Sequence, residues 1–268
     1  MPLLATVGGA SFRGFAGYNV TVSAPFIVAT GGTVYVDPNN ADYKIHQFTS
    51  SSNFVITDCP SSPTVELMMV AGGGGGRYGG GGAGGYIWRS SFAVGLGTYS
   101  VVVGSGGNAG GSNGGDTTFG GLTALGGGGG GEAAGGSGGG GVDSNGAAGL
   151  QPTSSSGGFG NKGGNWTAFG YDGAGGGAGG AGGDGSSPVG GIGRTADIIS
   201  STGSYATFAS TGSYATFAAG GYGNQNSVSF ALPSAVSNSG NGGWGGGYSS
   251  ISFGSGQAGI VRIRYKFQ

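Results

Sequence analysis

Charge, cysteine and histidine are all scarce in this sequence. Nine basic and ten acidic side chains are scattered over 268 residues and leave a net charge of −1. No basic stripe exists to neutralise phosphates, so a nucleic-acid partner is not expected. Cys59 is the single cysteine, which excludes an intrachain disulfide and a cysteine-based metal cluster and fits maturation in a reducing cytoplasm. The opening Met1-Pro-Leu-Leu-Ala lacks the basic and continuous apolar regions of a signal peptide. No apolar run approaches the ~20 residues that span a bilayer. Membrane insertion is therefore not expected, and export would be by lysis or within a particle.

Catalytic constellations are just as sparse. His46 lies in the alternating run Tyr43-Lys-Ile-His-Gln-Phe, with no Gly-x-Ser-x-Gly elbow near it, and reads as an ordinary strand histidine. Gly-x-Gly-x-x-Gly recurs but carries no information at this glycine content, and no Gly-Lys-Ser/Thr follows it. Asp116, Glu132, Asp143, Asp172, Asp184 and Asp197 are single and well separated, so a glycosidase pair would have to be assembled by the fold alone. No Asp-x-Asp-x-Asp calcium loop is present. The expectation is a protein that is not an enzyme, with no cofactor and no metal.

What is abundant is glycine: 74 residues, against a usual share of about 7%. Apolar residues still make up 36%, with 12 Tyr and 14 Phe, so the chain has material for a core and lacks the high-charge signature of disorder. Alternating or apolar segments predict strands at 21–23, 32–37, 43–48, 53–57, 64–71, 85–89, 97–103 and 122–125. In 260–267, Val261, Ile263, Tyr265 and Phe267 fall on one face and Arg262, Arg264 and Lys266 on the other, which predicts a half-buried strand. Glycine breaks every helical period, so no significant α-helix is expected.

Glycine is concentrated in blocks at 72–76, 79–85, 126–131, 138–141 and 173–183. Collagen periodicity is absent. Flexible linkers would leave unexplained why strands feed directly into the blocks. Extended three-fold helices of glycine, packed backbone to backbone, would satisfy every N–H and C=O sideways and offset the entropic cost of ordering glycine. The predicted fold is mostly β: strands joined to a packed polyglycine-II bundle with long surface loops. Residues 1–40 read as a strand-rich arm for attachment or oligomerisation, ending at the Asp37-Pro-Asn-Asn turn. Residues 41–268 read as one glycine-rich domain with variable loops at about 142–172, 184–224 and 236–252.

The order of strands and blocks carries a resemblance. Met69-Val-Ala-Gly-Gly-Gly-Gly-Gly, Tyr99-Ser-Val-Val-Val-Gly-Ser-Gly-Gly, Ala124-Leu followed by six glycines, and the closing Gly259-Ile-Val-Arg-Ile-Arg-Tyr are its elements. Over about 43–267 the chain resembles the glycine-rich domain of bacteriophage tail-fibre and adhesin proteins. It also looks like the glycine-rich domain of the anaplastic lymphoma kinase ectodomain, but lacks that receptor's kinase domain, transmembrane helix and cysteines. The phage resemblance implies packed polyglycine helices and a virion structural protein of the tail or fibre, assembled in the host cytoplasm. Its implied partners are a bacterial surface receptor (an outer-membrane protein or a glycan) and other tail or baseplate proteins. Homotrimers are common among such fibres. A structural fibre spacer and a cell-surface protein-binding domain are the alternatives.

Aromatic loops between the blocks are the candidate contact surface: Asn165-Trp-Thr-Ala-Phe-Gly-Tyr-Asp and Asn241-Gly-Gly-Trp-Gly-Gly-Gly-Tyr. Trp and Tyr flanked by Asn, Ser and Gly supply contact area at low entropic cost. The competing reading is a small core that caps the glycine bundle. Ser201 to Ala209 repeats without change as Ser210 to Ala218, which places an insertion-tolerant, hairpin-like loop at the surface. Replication slippage and a variable recognition loop both account for it. The candidate receptor-binding residues are Asn165, Trp166, Tyr171, Tyr205, Tyr214, Tyr222, Asn241 and Trp244.

Overall fold

The computed structural model describes residues 25–195, 216–224, 237–246 and 252–268. Twelve strands are numbered along the chain, and the one helical element among the described residues is a 3-10 turn, Gln151–Thr153. Five antiparallel strands form the main sheet, in the order β2 (Thr33–Asp37), β3 (Asn40–Phe48), β12 (Ile260–Lys266), β5 (Thr64–Val70) and β6 (Tyr86–Ala93). A second sheet orders β1 (Val28–Thr30), β4 (Ser52–Asp58) and β7 (Gly97–Val101). A hairpin of β8 (Thr117–Phe119) and β9 (Leu122–Ala124) joins β7 through a bridge between Val102 and Thr118. β10 (Arg194–Thr195) pairs with β11 (Thr216–Phe217).

The main sheet is covered on both faces. Phe48, Leu67, Met69, Ile87, Val261 and Ile263 pack toward Phe54, Ile56 and Val101 of the second sheet. On the opposite face Ile45, Met68, Val70, Tyr86 and Ile260 meet Ala83, Ala178, Phe217 and Ala218 from outside the sheet. Two-sided burial explains why β5 reads as a continuous apolar run and not as an alternation.

The same burial corrects the half-buried reading of β12. Its basic face is covered at Arg262 and partly covered at Arg264, because residues from outside the sheet pack over it, and only Lys266 at the strand end is exposed. Arg262 is 2% exposed. Its guanidinium lies 5.0 Å from the Phe217 ring centroid, and its Nε donates to Gln47 Oε1 at 3.0 Å. Arg264 donates to Asp37 at 2.7 Å and Glu66 at 2.6 Å, over the Tyr43 ring. The Asp37–Asn40 turn, read as the end of an arm, is the tight connection of the β2–β3 hairpin, so strands β1 and β2 are built into the two sheets. The predicted strand near Val22 lies outside the described residues.

Beyond β5 the chain continues as a straight run of glycine that is neither strand nor helix. Its hydrogen-bond partners recur every third residue. The N–H groups of Gly72 and Gly75 donate to Gly115 and Ser112, those of Gly73 and Gly76 to Gln257 and Gly254, and that of Gly74 to Gly82. Its carbonyls follow the same period: Gly72 and Gly75 accept from Gly127 and Gly130, Gly73 and Gly76 from Gly107 and Gly110, and Gly74 from Gly243. Residues 72–77 are thus enclosed by six neighbouring segments.

Residues 79–85 return antiparallel beside 72–77 and continue into β6, so the β5–β6 pairing runs on into the lattice. Segment 254–257 lies on the other side, as β12 lies beside β5. The block at 173–178 keeps the same period, with Gly173 and Gly176 donating to Gly141 and Gly138. Glycine is required here for close approach. A Cβ on Gly81 would overlap the carbonyl of Gly74, and one on Gly128 that of Ala133. Ala83 and Ala178 are admitted because both face the second apolar cluster. At the lattice margin side chains replace missing backbone neighbours: Asp116 and Asn113 accept from Gly126 and Gly129 at 2.7 and 2.9 Å.

Candidate functional site

Register defines the end of the lattice farthest from the sheets. Chain enters from β5 at Ala71 and turns back at Arg77, whose N–H donates to Gly79 O at 3.0 Å. Gly246 bonds to Arg77, Gly140 and Gly173 to Gly80, and Gly141 to Gly164. The stretches following Gly141 and Gly164, and those immediately preceding Gly173 and Gly254, therefore emerge together at this far end.

Three predicted contact residues lie there. The loop is folded over itself: Tyr171 N–H donates to Ala168 O at 2.8 Å, and Gly170 takes a left-handed φ of 77°. Phe169 is 71% exposed and Tyr171 is exposed beside it. Trp166 is partly buried, and its Nε1 is enclosed with no hydrogen-bond partner among the described residues. Asn165 is committed to the lattice: its N–H donates to Asp184 Oδ1 at 2.7 Å, and its amide oxygen accepts from Gly146 N–H at 3.2 Å.

Asp172 follows this loop and is fully buried. Its N–H donates to Asn224 O at 3.1 Å, and Asn224 Nδ2 donates back to Oδ2 at 3.4 Å, while Oδ1 has no partner among the described residues. Burial pushes its carboxyl up to about 6, assisted by the charge of Asp143 and opposed by the Asn224 hydrogen bond. The far end also holds a pair that sequence reasoning missed, Tyr78 and Phe253, edge to face at 5.7 Å. The available signal was the placement of Tyr78 between two glycine blocks, which marks a turn.

Tyr222, Asn241 and Trp244 form a separate group. They line a lateral groove of about 50 Å³ with Ala219, Ser255 and Gln257. Asn241 Oδ1 accepts from Ala219 N–H at 2.9 Å, so this amide too closes a lattice margin. Tyr205 and Tyr214 lie outside the described residues. The chain enters and leaves that stretch through β10 and β11, beside the main sheet, where Phe217 is buried and Tyr86 Oη reaches Thr195 O at 3.4 Å. Of the repeat, Thr216 and Phe217 pair with Arg194 and Thr195, and its predicted hairpin lies outside the described residues.

His46 is buried in the first core. Gly31 O can only accept, so Nδ1 carries the proton at 2.7 Å, and Nε2 accepts from the Tyr265 hydroxyl at 2.9 Å. Burial lowers its pKa, and the neutral ring ties the β1–β2 connection to β12.

Strands β4 to β12 and the lattice with its three-residue period lie within one matched region: a family model described as a glycine-rich domain covers residues 49–266. The chain belongs to the glycine-rich domain family. The match ends at the last residue of β12, so in this glycine-rich domain β12 closes both the sheet and the matched region. Strands β1 to β3 precede it. No curated protein matches the chain.

Proposed function

We propose that this glycine-rich domain serves a bacteriophage virion as a tail-fibre or receptor-binding protein, with the far end of its lattice contacting the bacterial surface. The observation that carries this reading is convergence: Trp166, Phe169, Tyr171 and the Tyr78–Phe253 pair belong to stretches that leave the lattice at one end, opposite the sheets. In the same reading the glycine blocks are polyglycine-II helices, supported by partners that recur every third residue. Such a lattice is a stiff platform that holds short loops at low entropic cost. The sheet end would attach to other tail or baseplate proteins or to further copies in a homotrimer. The protein works by binding, without a reaction.

The spacer reading is favoured by one specific fact, the use of the Asn165 and Asn241 amides inside the lattice. Adsorption to a panel of bacterial strains separates the two readings. The double variant Phe169→Ala/Tyr171→Ala removes exposed rings and should lower adsorption about tenfold or more with an unchanged melting temperature. Unchanged adsorption on every strain that the parent protein binds would leave the spacer reading.

A further inference from the structure

Among the described residues, segment 240–246 is an incomplete member of the lattice, with four of its six neighbour directions filled. Gly242 and Gly245 donate to Ala219 and Tyr222, and Gly243 and Gly246 donate to Gly74 and Arg77. The Gly243 and Gly240 carbonyls accept from Gly81 and Gly84, and those of Asn241 and Trp244 from Gln257 and Gly254. Two directions remain. Among the described residues, Trp244 N–H has no partner, and Asn241 N–H reaches only the Ser239 hydroxyl at 3.4 Å. The carbonyls of Gly242 and Gly245 likewise have no backbone partner there. Around 72–77, neighbours alternate between those that accept and those that donate. By that alternation the two open directions here are adjacent, between segments 219–222 and 254–257. That is where the lateral groove lies.

The geometry points to this groove as a docking site for a proline-rich peptide segment in the polyproline II conformation, supplied by a partner protein. Asn241 and Trp244 are three residues apart, and polyproline II has three residues per turn and about 3.1 Å rise. Its carbonyls on one side therefore repeat at the ~9 Å spacing of a three-fold neighbour. The row at Asn241 and Trp244 consists of donors, so an occupant of that direction needs carbonyls toward it and no N–H, which is the inventory of proline, while the carbonyls of Gly242 and Gly245 in the adjacent direction stay with solvent. Inside the lattice a Cβ is excluded at most positions, but this side is open, and Tyr222 and Trp244 form its walls. Aromatic walls around an uncharged groove suit proline rings. No charged residue lines it. The inference rests on lattice register and is independent of the adhesin reading.

A fluorophore-labelled acetylated nonaproline, titrated against the full chain up to millimolar concentration, tests this by anisotropy and by amide hydrogen exchange. Saturable binding is expected, with slowed exchange at Trp244 and Asn241 and no change at Gly243, which already donates to Gly74. Trp244→Ala should weaken binding about tenfold or more. Because that ring also lies against Gly254, Gln257→Arg provides a second variant, which introduces bulk and charge at the groove wall and should weaken binding similarly. A glycine–serine peptide of equal length should not compete. Absence of binding, or binding with unchanged exchange at Trp244 and Asn241, would overturn the proposal. So would protection of those amides by maltoheptaose and not by nonaproline.

Discussion

The sheets and the lattice solve the same problem with opposite materials. In the sandwich, side chains exclude water, and the backbone bonds in pairs along strands. In the lattice the side chain is absent, and backbone is packed against backbone in up to six directions at once. Leu67 and Gly74 are equally inaccessible, but Leu67 is held by apolar contact and Gly74 by bonds to Gly82 and Gly243. Side-chain cores can relax around a lost methyl group. A lattice whose spacing is set by hydrogen-bond length has no comparable slack.

Substitution should break the comparison most visibly. Gly128→Val places a side chain where the Ala133 carbonyl already lies and should cost at least ~4 kcal/mol, enough to prevent folding at 37 °C. Gly95→Ala is the control: a Cβ there meets nothing within 4 Å, and urea denaturation should show a change under about 0.5 kcal/mol. Leu67→Ala should fall between them, at about 2–5 kcal/mol, as expected for a core that partly collapses around its cavity.

Acid should separate the two regions in opposite directions. His46 has a lowered pKa in the folded protein, so its contribution is present above about 6.5 and is lost as the pH falls below that value. Asp172 has a raised pKa, so its contribution is greatest below about 4 and is lost as the pH rises toward about 6. Between pH 4 and 6.5, hydrogen exchange corrected for intrinsic rates should therefore show sheet amides near Gly31 less protected on acidification. Amides near Asp172 and Asn224 should become more protected. Asp172→Asn should abolish the second trend and leave the first. Parallel behaviour in both regions would remove the distinction.

A small effect is also expected from deleting residues 210–218. Thr207 and Phe208 then stand in the same local sequence as Thr216 and Phe217 and can take their places in β11 and under Arg262. Shortening the loop changes its closure entropy by under about 1 kcal/mol, so the melting temperature should barely move.

The two regions also differ in how legibly they are written. Alternation and apolar runs located nearly every sheet strand, because each strand carries its pattern in its own side chains. The loop at Asn165 to Tyr171 was legible for a similar reason, since aromatics amid glycine stand out. The division of the candidate residues was not. Trp166 and Trp244 look alike in sequence, yet one belongs to the far end and the other to a side groove beside Tyr222 and Asn241. Nor could Arg262 be read as buried, because an alternating strand looks the same whether its polar face is bare or covered by another layer.

What the sequence determined by itself is the division of labour: strands where β-branched and aromatic residues alternate, and close backbone packing wherever no Cβ stands in the way. Which block neighbours which was decided only in three dimensions. A glycine block has no side chains with which to select a partner, and any three-fold segment can bond to any other. The sheet order β12-β5-β6, continued into segments 254–257, 72–77 and 79–85, imposes the choice.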